Sequence, residues 1–133
     1  MLRMEKNKIK RSTEITTQYF DFLDRHIEDV ANGNVPDFFE LNQIARELAI
    51  SHKHLTDIIK TEKGNHPCHF YDAKIIGKAQ ELLATSDLSI AQIAMKLTYD
   101  PSNFSKFFKK WTGFTPGDFR NEKQKKQKSV KNP

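Results

Sequence analysis

Displaced against itself by 49 residues, the chain matches itself without a gap: LNQIARELAISHKHLTDIIKTEKGNHPCHF at 41–70 lies over IAQIAMKLTYDPSNFSKFFKKWTGFTPGDF at 90–119. Eight positions are identical: Gln43/Gln92, Ile44/Ile93, Ala45/Ala94, Leu48/Leu97, Lys60/Lys109, Gly64/Gly113, Pro67/Pro116 and Phe70/Phe119. Leu41/Ile90, Leu55/Phe104, Ile58/Phe107 and Ile59/Phe108 stay apolar. Two copies are too few for a solenoid, which needs about three stacked repeats to bury its faces. What remains is a supersecondary unit used twice.

Each copy reads as a pair of helices. Leu41, Ile44, Ala45 and Leu48 fall at i, i+3, i+4 and i+7, one stripe of a short amphipathic helix, and Ile90, Ile93, Ala94 and Leu97 repeat it. Ser51 and Asp100 then offer N-cap oxygens, and Pro101 suits a first helical turn. A second stripe follows, Leu55, Ile58 and Ile59 in one copy and Phe104, Phe107, Phe108 and Trp111 in the other. Gly64 and Gly113 stand where such helices end. Two helices joined by a tight turn of about three residues form a helix-turn-helix, whose second helix commonly reads the major groove of DNA.

The rest of the chain is also helical in pattern. Pro67 opens a connecting helix to about Ala84, with Phe70, Ala73, Ile76, Ala79, Leu82 and Leu83 on one face; Gly77 within it suggests a close packing contact. Upstream, Ile15, Tyr19, Phe22, Leu23, Ile27 and Val30 make another stripe, closed by Gly33-Asn34 and Pro36, and Thr115 can cap a last short helix at Pro116. The expectation is an all-α fold of about seven helices, two helix-turn-helix units (41–64 and 90–113) on a long connecting helix (67–84). The domain spans 12–120, with flexible basic tails at 1–11 and 121–133.

Charge is unevenly spread. The net charge of +5 combines +4 in 1–11 (five basic, one acidic), −6 in 12–72 (five basic, eleven acidic), +3 in 73–120 (seven basic, four acidic) and +4 in 121–133 (five basic, one acidic). A polyanion would be held mainly by the second half and the tails. A single cysteine excludes an internal disulfide, the start MLRMEKNKIKR lacks the apolar core of a secretory signal, and no apolar run approaches a membrane span, so a cytoplasmic, nucleoid-associated protein is expected.

Residues 41–120 resemble the DNA-binding domain of the AraC/XylS family of bacterial transcription regulators. The stretch IAMKLTYDPSNFSKFFKKWTGFTPGDFR at 93–120 is similar to the family signature: an Ile-Ala helix, a Ser-x-Phe recognition helix, Phe-Lys-Lys, Gly and Thr-Pro in that order. The resemblance implies a sequence-specific regulator that sets two recognition helices into successive major grooves of promoter double-stranded DNA, with RNA polymerase a candidate partner. Carried over by position, the base-reading candidates are Lys53, Thr56, Asp57, Ser102, Asn103 and Lys106, and the phosphate candidates are His52, Lys60, Ser105, Lys109 and Lys110. Lys106 can donate to guanine, Asn103 can pair with adenine, and Asp57, which can only accept, favours a cytosine amino group. Backbone amides opening the recognition helices are further phosphate donors.

Three positions depart from the family pattern. Thr98 stands where the second turn usually has glycine, so that turn either forces threonine into the left-handed region or takes another geometry. Ile75 replaces a common arginine, and Asp57 replaces a side chain that is often basic or an amide, which with the acidic first half suggests weaker DNA binding by the first unit. Family members often carry a separate sensor or dimerisation domain; the 40 residues before the first unit leave no room for one, so the chain is either a short stand-alone regulator or a fragment of a longer one, and no small-molecule effector is expected on it.

Other chemistries are weaker readings. Pro67-Cys68-His69 matches a fragment of the alkylguanine-DNA alkyltransferase core, but Phe70 replaces the arginine that follows there. His52, His54, His66, Cys68 and His69 lack the paired spacing of zinc modules, and His66 fits a helix cap equivalent to Thr115. Neither a catalytic triad nor a phosphate loop nor a carboxylate pair is present, so no enzyme, metal or cofactor is expected. The competing reading is a protein-interaction module of the same fold, docking through the acidic helix 14–30 while the tails hold DNA nonspecifically; Tyr19, Phe20 and Phe22 are core candidates, one of which could serve docking.

Overall fold

The computed structural model describes the backbone of residues 2–131 and the side chains of residues 9–126. Among them lie seven helices and no strand: α1 (Leu2–Ala31), α2 (Leu41–Glu47), α3 (His52–Lys63), α4 (Pro67–Thr85), α5 (Ile90–Lys96), α6 (Pro101–Thr112) and α7 (Pro116–Lys131). At the 49-residue offset the bounds of α2 and α3 coincide with those of α5 and α6, and the predicted caps set their limits. Ser51 Oγ accepts from the His54 amide at 3.0 Å, and Asp100 Oδ2 accepts from the Ser102 and Asn103 amides at 3.1 and 3.2 Å. Gly64 and Gly113 close α3 and α6 at φ 77° and 82°, where a Cβ would be strained. His66 Nδ1 caps α4 by accepting from Cys68, and Thr115 Oγ1 caps α7 by accepting from Asp118.

The core forms two clusters, one per unit. Ile15, Tyr19, Leu23 and Ile27 of α1 pack with Leu41, Ile44 and Ala45 of α2 and Leu55, Ile58 and Ile59 of α3. Ile93, Ala94, Leu97, Phe104 and Phe108 gather the second unit on Ile76, Ala79 and Leu83 of α4. Tyr71 and Ile75 of α4 belong to the first cluster, so α4 crosses from one core to the other. Lys74 and Lys78 of α4 pair with Asp24 and Glu28 of α1, both at 2.6 Å.

The backbone of both basic tails is helical, over 2–11 and 121–131, and two expectations for α4 are corrected. No Gly or Pro interrupts 2–31, Lys, Glu, Gln, Arg and Met are good helix formers, and the costly nucleus is supplied where the helix docks on the core. On α4, Tyr71 and Ile75 are buried while Phe70, Ala73 and Leu82 are half-buried, because a helix wedged between two units buries more than one face. Gly77 is exposed, and a Cβ there would meet nothing within 4 Å, so it marks no close contact.

Candidate nucleic-acid interface

The turn inside each unit sets the angle at which its second helix is presented. In the first, the Ile50 amide reaches Ala45 O and the Ala49 amide Arg46 O, both at 3.0 Å; in the second, Tyr99 reaches Ala94 O at 2.8 Å and Thr98 reaches Met95 O at 3.0 Å. This six-to-one and five-to-two pairing is a Schellman closure, which needs a left-handed residue at its centre. Ala49 and Thr98 supply it, at φ 59° and 61°. Of the two geometries open to Thr98, the turn takes the strained one. Ala49 carries the same strain, which the sequence did not flag because alanine is unremarkable at a helix end.

Beyond these turns, α3 and α6 turn their apolar stripes inward and leave a polar strip outside. On α3, His52, Lys53, Asp57 and Lys60 are exposed and Thr56 is half-buried; on α6, Ser102, Asn103, Lys106, Lys109 and Lys110 are exposed and Ser105 is half-buried. Thr56 and Ser105 occupy the same repeat position, at the rim where strip meets core. The candidates thus fall into two strips, one on each unit. Residues 101–112 hold three lysines and no acid, whereas 52–63 hold three lysines against Asp57 and Glu62.

The amides opening α6 are already engaged. Pro101 has none, Ser102 and Asn103 donate to the Asp100 carboxylate, and Phe104 donates to Asp100 O at 2.8 Å. The expected backbone phosphate site at α6 is therefore filled by an internal anion. Lys110 lies near Asp72 of α4; burial raises the Asp72 carboxyl above its ordinary range, and the charges of His69 and Lys110 oppose that shift.

Two structural roles escaped the sequence reading. Arg120, the last residue of the signature stretch, donates from Nε to Leu83 O at 3.0 Å and from Nη2 to Ser86 O at 3.3 Å, tying α7 to the end of α4. His26 is 4% exposed, and its Nε2 accepts from the Phe39 amide at 2.9 Å; burial lowers its pKa, with Asp29 opposing. The partners of both lie on other elements, so no local pattern announces them. Cys68 is exposed in the first turn of α4 with its thiol pushed up, first by burial and then by Asp72, the opposite of an activated nucleophile. Among the described residues no group of three His, Cys, Asp or Glu side chains could hold a metal ion, and no helix is long and apolar enough to cross a membrane.

Residues 44–122 match the family described as Helix-turn-helix domain. The chain belongs to the AraC-type helix-turn-helix family. Its likeness to other proteins extends beyond the repeat. The HTH-type transcriptional regulator YfiF of Bacillus subtilis is 30% identical over 116 residues, 87% of this chain and 34% of YfiF. The C-terminal domain of AraT, a response regulator from Geobacillus stearothermophilus, superposes with a TM-score of 0.70 at 28% identity, covering 81% of this chain and 84% of that one. The DNA-binding domain of the global transcriptional factor AdpA, solved in complex with a target DNA, superposes with a TM-score of 0.69 at 18% identity, covering 84% and 94%. This AraC-type chain is a DNA-binding transcription-regulator domain by family, and it spans 11% to 43% of the length of the curated relatives it matches.

Proposed function

We propose that the domain is a sequence-specific DNA reader that inserts α3 and α6 into successive major grooves of promoter DNA. The observation that carries this reading is the duplicated unit itself: two second helices, each capped, each with an exposed polar strip, both mounted on α4. The AdpA domain, which shares the fold, was solved on its target DNA. Asn103 and Lys106 would read adenine and guanine, Asp57 a cytosine amino group, with Lys53, Thr56 and Ser102 as further readers. His52, Lys60, Ser105, Lys109 and Lys110 would hold phosphates. RNA polymerase would be the protein partner, and no small-molecule effector is assigned to this chain. In the competing interaction-module reading, Asp24 and Glu28, two of the five acids of helix 14–30, are paired with Lys74 and Lys78 of α4.

In vitro selection from a random duplex library near physiological salt tests the proposal, since nonspecific attraction weakens there. The expected result is an asymmetric motif with two informative blocks about one helical turn apart. A single block would overturn the two-groove reading and leave one dominant unit, and no enrichment would overturn sequence-specific reading altogether.

A further inference from the structure

Three half-buried side chains pack against both core clusters: Phe38, Tyr99 and Phe107. Phe38 belongs to the link 32–40 between α1 and α2, Tyr99 sits in the second unit's turn just before the Asp100 cap, and Phe107 lies on α6. Their rings make a continuous path. Phe38 meets His26 at 5.9 Å and Tyr71 at 6.0 Å, both edge-on, and Tyr99 at 6.5 Å; Tyr99 stacks on Phe107 at 5.4 Å with the planes 18° apart.

The link is fixed where Phe38 leaves it. The Phe39 amide donates to His26 Nε2 of α1 at 2.9 Å, and the Tyr71 hydroxyl of α4 donates to Phe39 O at 3.0 Å. A surface connection ordinarily gives such groups to water. Here both polar groups of one backbone residue are held by two different helices, so the link is a braced element and Phe38 a rigid projection from it.

Besides these rings, α4 supplies buried residues to both clusters, and Ala31 at the end of α1 reaches the second. Each unit is packed on its own face of α4, so their relative rotation depends on side-chain packing around that helix. A direct contact set off the helix axis adds a restraint on that rotation. We infer that Phe38 and Tyr99 are positioning residues that lock the relative rotation of the two units, and so set the spacing between base blocks that the domain accepts. The inference rests on the two-groove reading proposed above. Neither residue lies on the exposed strips of α3 and α6, so their effect on spacing is separable from contact with bases.

The test compares the full chain with Phe38→Ala, Phe38→Leu and Tyr99→Ala on duplexes carrying the selected blocks, with the spacer shortened or lengthened by one and two base pairs, and on duplexes with one block scrambled. Circular-dichroism melts confirm that each variant is folded at the assay temperature, with Phe38→Leu retaining apolar bulk should Phe38→Ala unfold. The parent chain is expected to lose at least tenfold in affinity on a one-base-pair change of spacer. Folded variants should keep single-block affinity within about twofold while that spacing penalty falls to threefold or less. A variant that discriminates spacers as sharply as the parent overturns the inference and leaves the two-groove reading standing. Equal losses on single-block and two-block duplexes, with the penalty intact, would also overturn it by showing a merely structural role. A parent chain that selects one block overturns both readings.

Discussion

Thr98 and Ala49 hold left-handed backbones at φ 61° and 59°. That region costs an L-residue about 1–2 kcal/mol, and a branched Cβ adds to the crowding. Thr98→Gly is expected to stabilise the domain by about 1 kcal/mol after allowing for glycine's looser unfolded chain, read as a rise of a few degrees in Tm. Gly77 calls for the opposite exchange, since it sits inside α4 at an ordinary φ with open space where a Cβ would stand. Gly77→Ala should add about 1 kcal/mol by helix propensity, measured by denaturant unfolding. His26 governs the response to acid. Its folded pKa lies below the ordinary histidine value, so below about pH 6.5 the unfolded chain takes up a proton that the folded chain refuses, and stability falls with pH until the lowered native value is reached. Denaturant midpoints between pH 7.5 and 5 should show this fall, and His26→Gln, which keeps an acceptor without titrating, should flatten it. The strain at Thr98 was legible because the resemblance pointed to a glycine in that turn. The role of His26 was not, because its partner is a backbone amide in the following link.

The helices of the two units were legible almost to the residue because their ends are written chemically: Ser51 and Asp100 at the starts, Gly64 and Gly113 at the stops, Pro67 and Pro116 opening the helices that follow. The outer parts of α1 and α7 were not, since helix there rests on propensity and continuity rather than on an apolar stripe. The buried face of α4 was misjudged for a related reason: one stripe was sought on a helix that serves two cores. Ile75 shows the result: it lies outside the single stripe assigned to α4, yet is 4% exposed in the first cluster. Arg120 holds α7 in place through carbonyls that α4 leaves unpaired at its end. Arg120→Met should cost about 1–3 kcal/mol, the range for charged hydrogen bonds to carbonyls left partnerless. Hydrogen exchange resolved by residue should locate the lost protection in the first turns of α7 and the last turn of α4.

For the whole molecule, the polar strips of α3 and α6 were readable from periodicity, since what lies opposite a buried stripe is exposed. Their relative orientation was not, because it is set by packing between elements far apart in the sequence. The strips are unequal, and the second unit is expected to anchor binding: Lys106→Ala should weaken DNA affinity more than Lys53→Ala, and equal losses in a titration would contradict the asymmetry. Removing 121–133 takes away five lysines and should flatten the salt dependence by about 0.9 log units per lost phosphate contact without changing the preferred sequence. Asp57 and Lys106 stand at the same repeat position with opposite charge. On the proposed reading, a molecule turned end for end on its site would set a carboxylate against guanine acceptors and an ammonium against a cytosine amino group, both repulsive. On that reading the domain has a front and a back along the duplex: once seated it would point in one direction, and whatever it recruits would be recruited to one side.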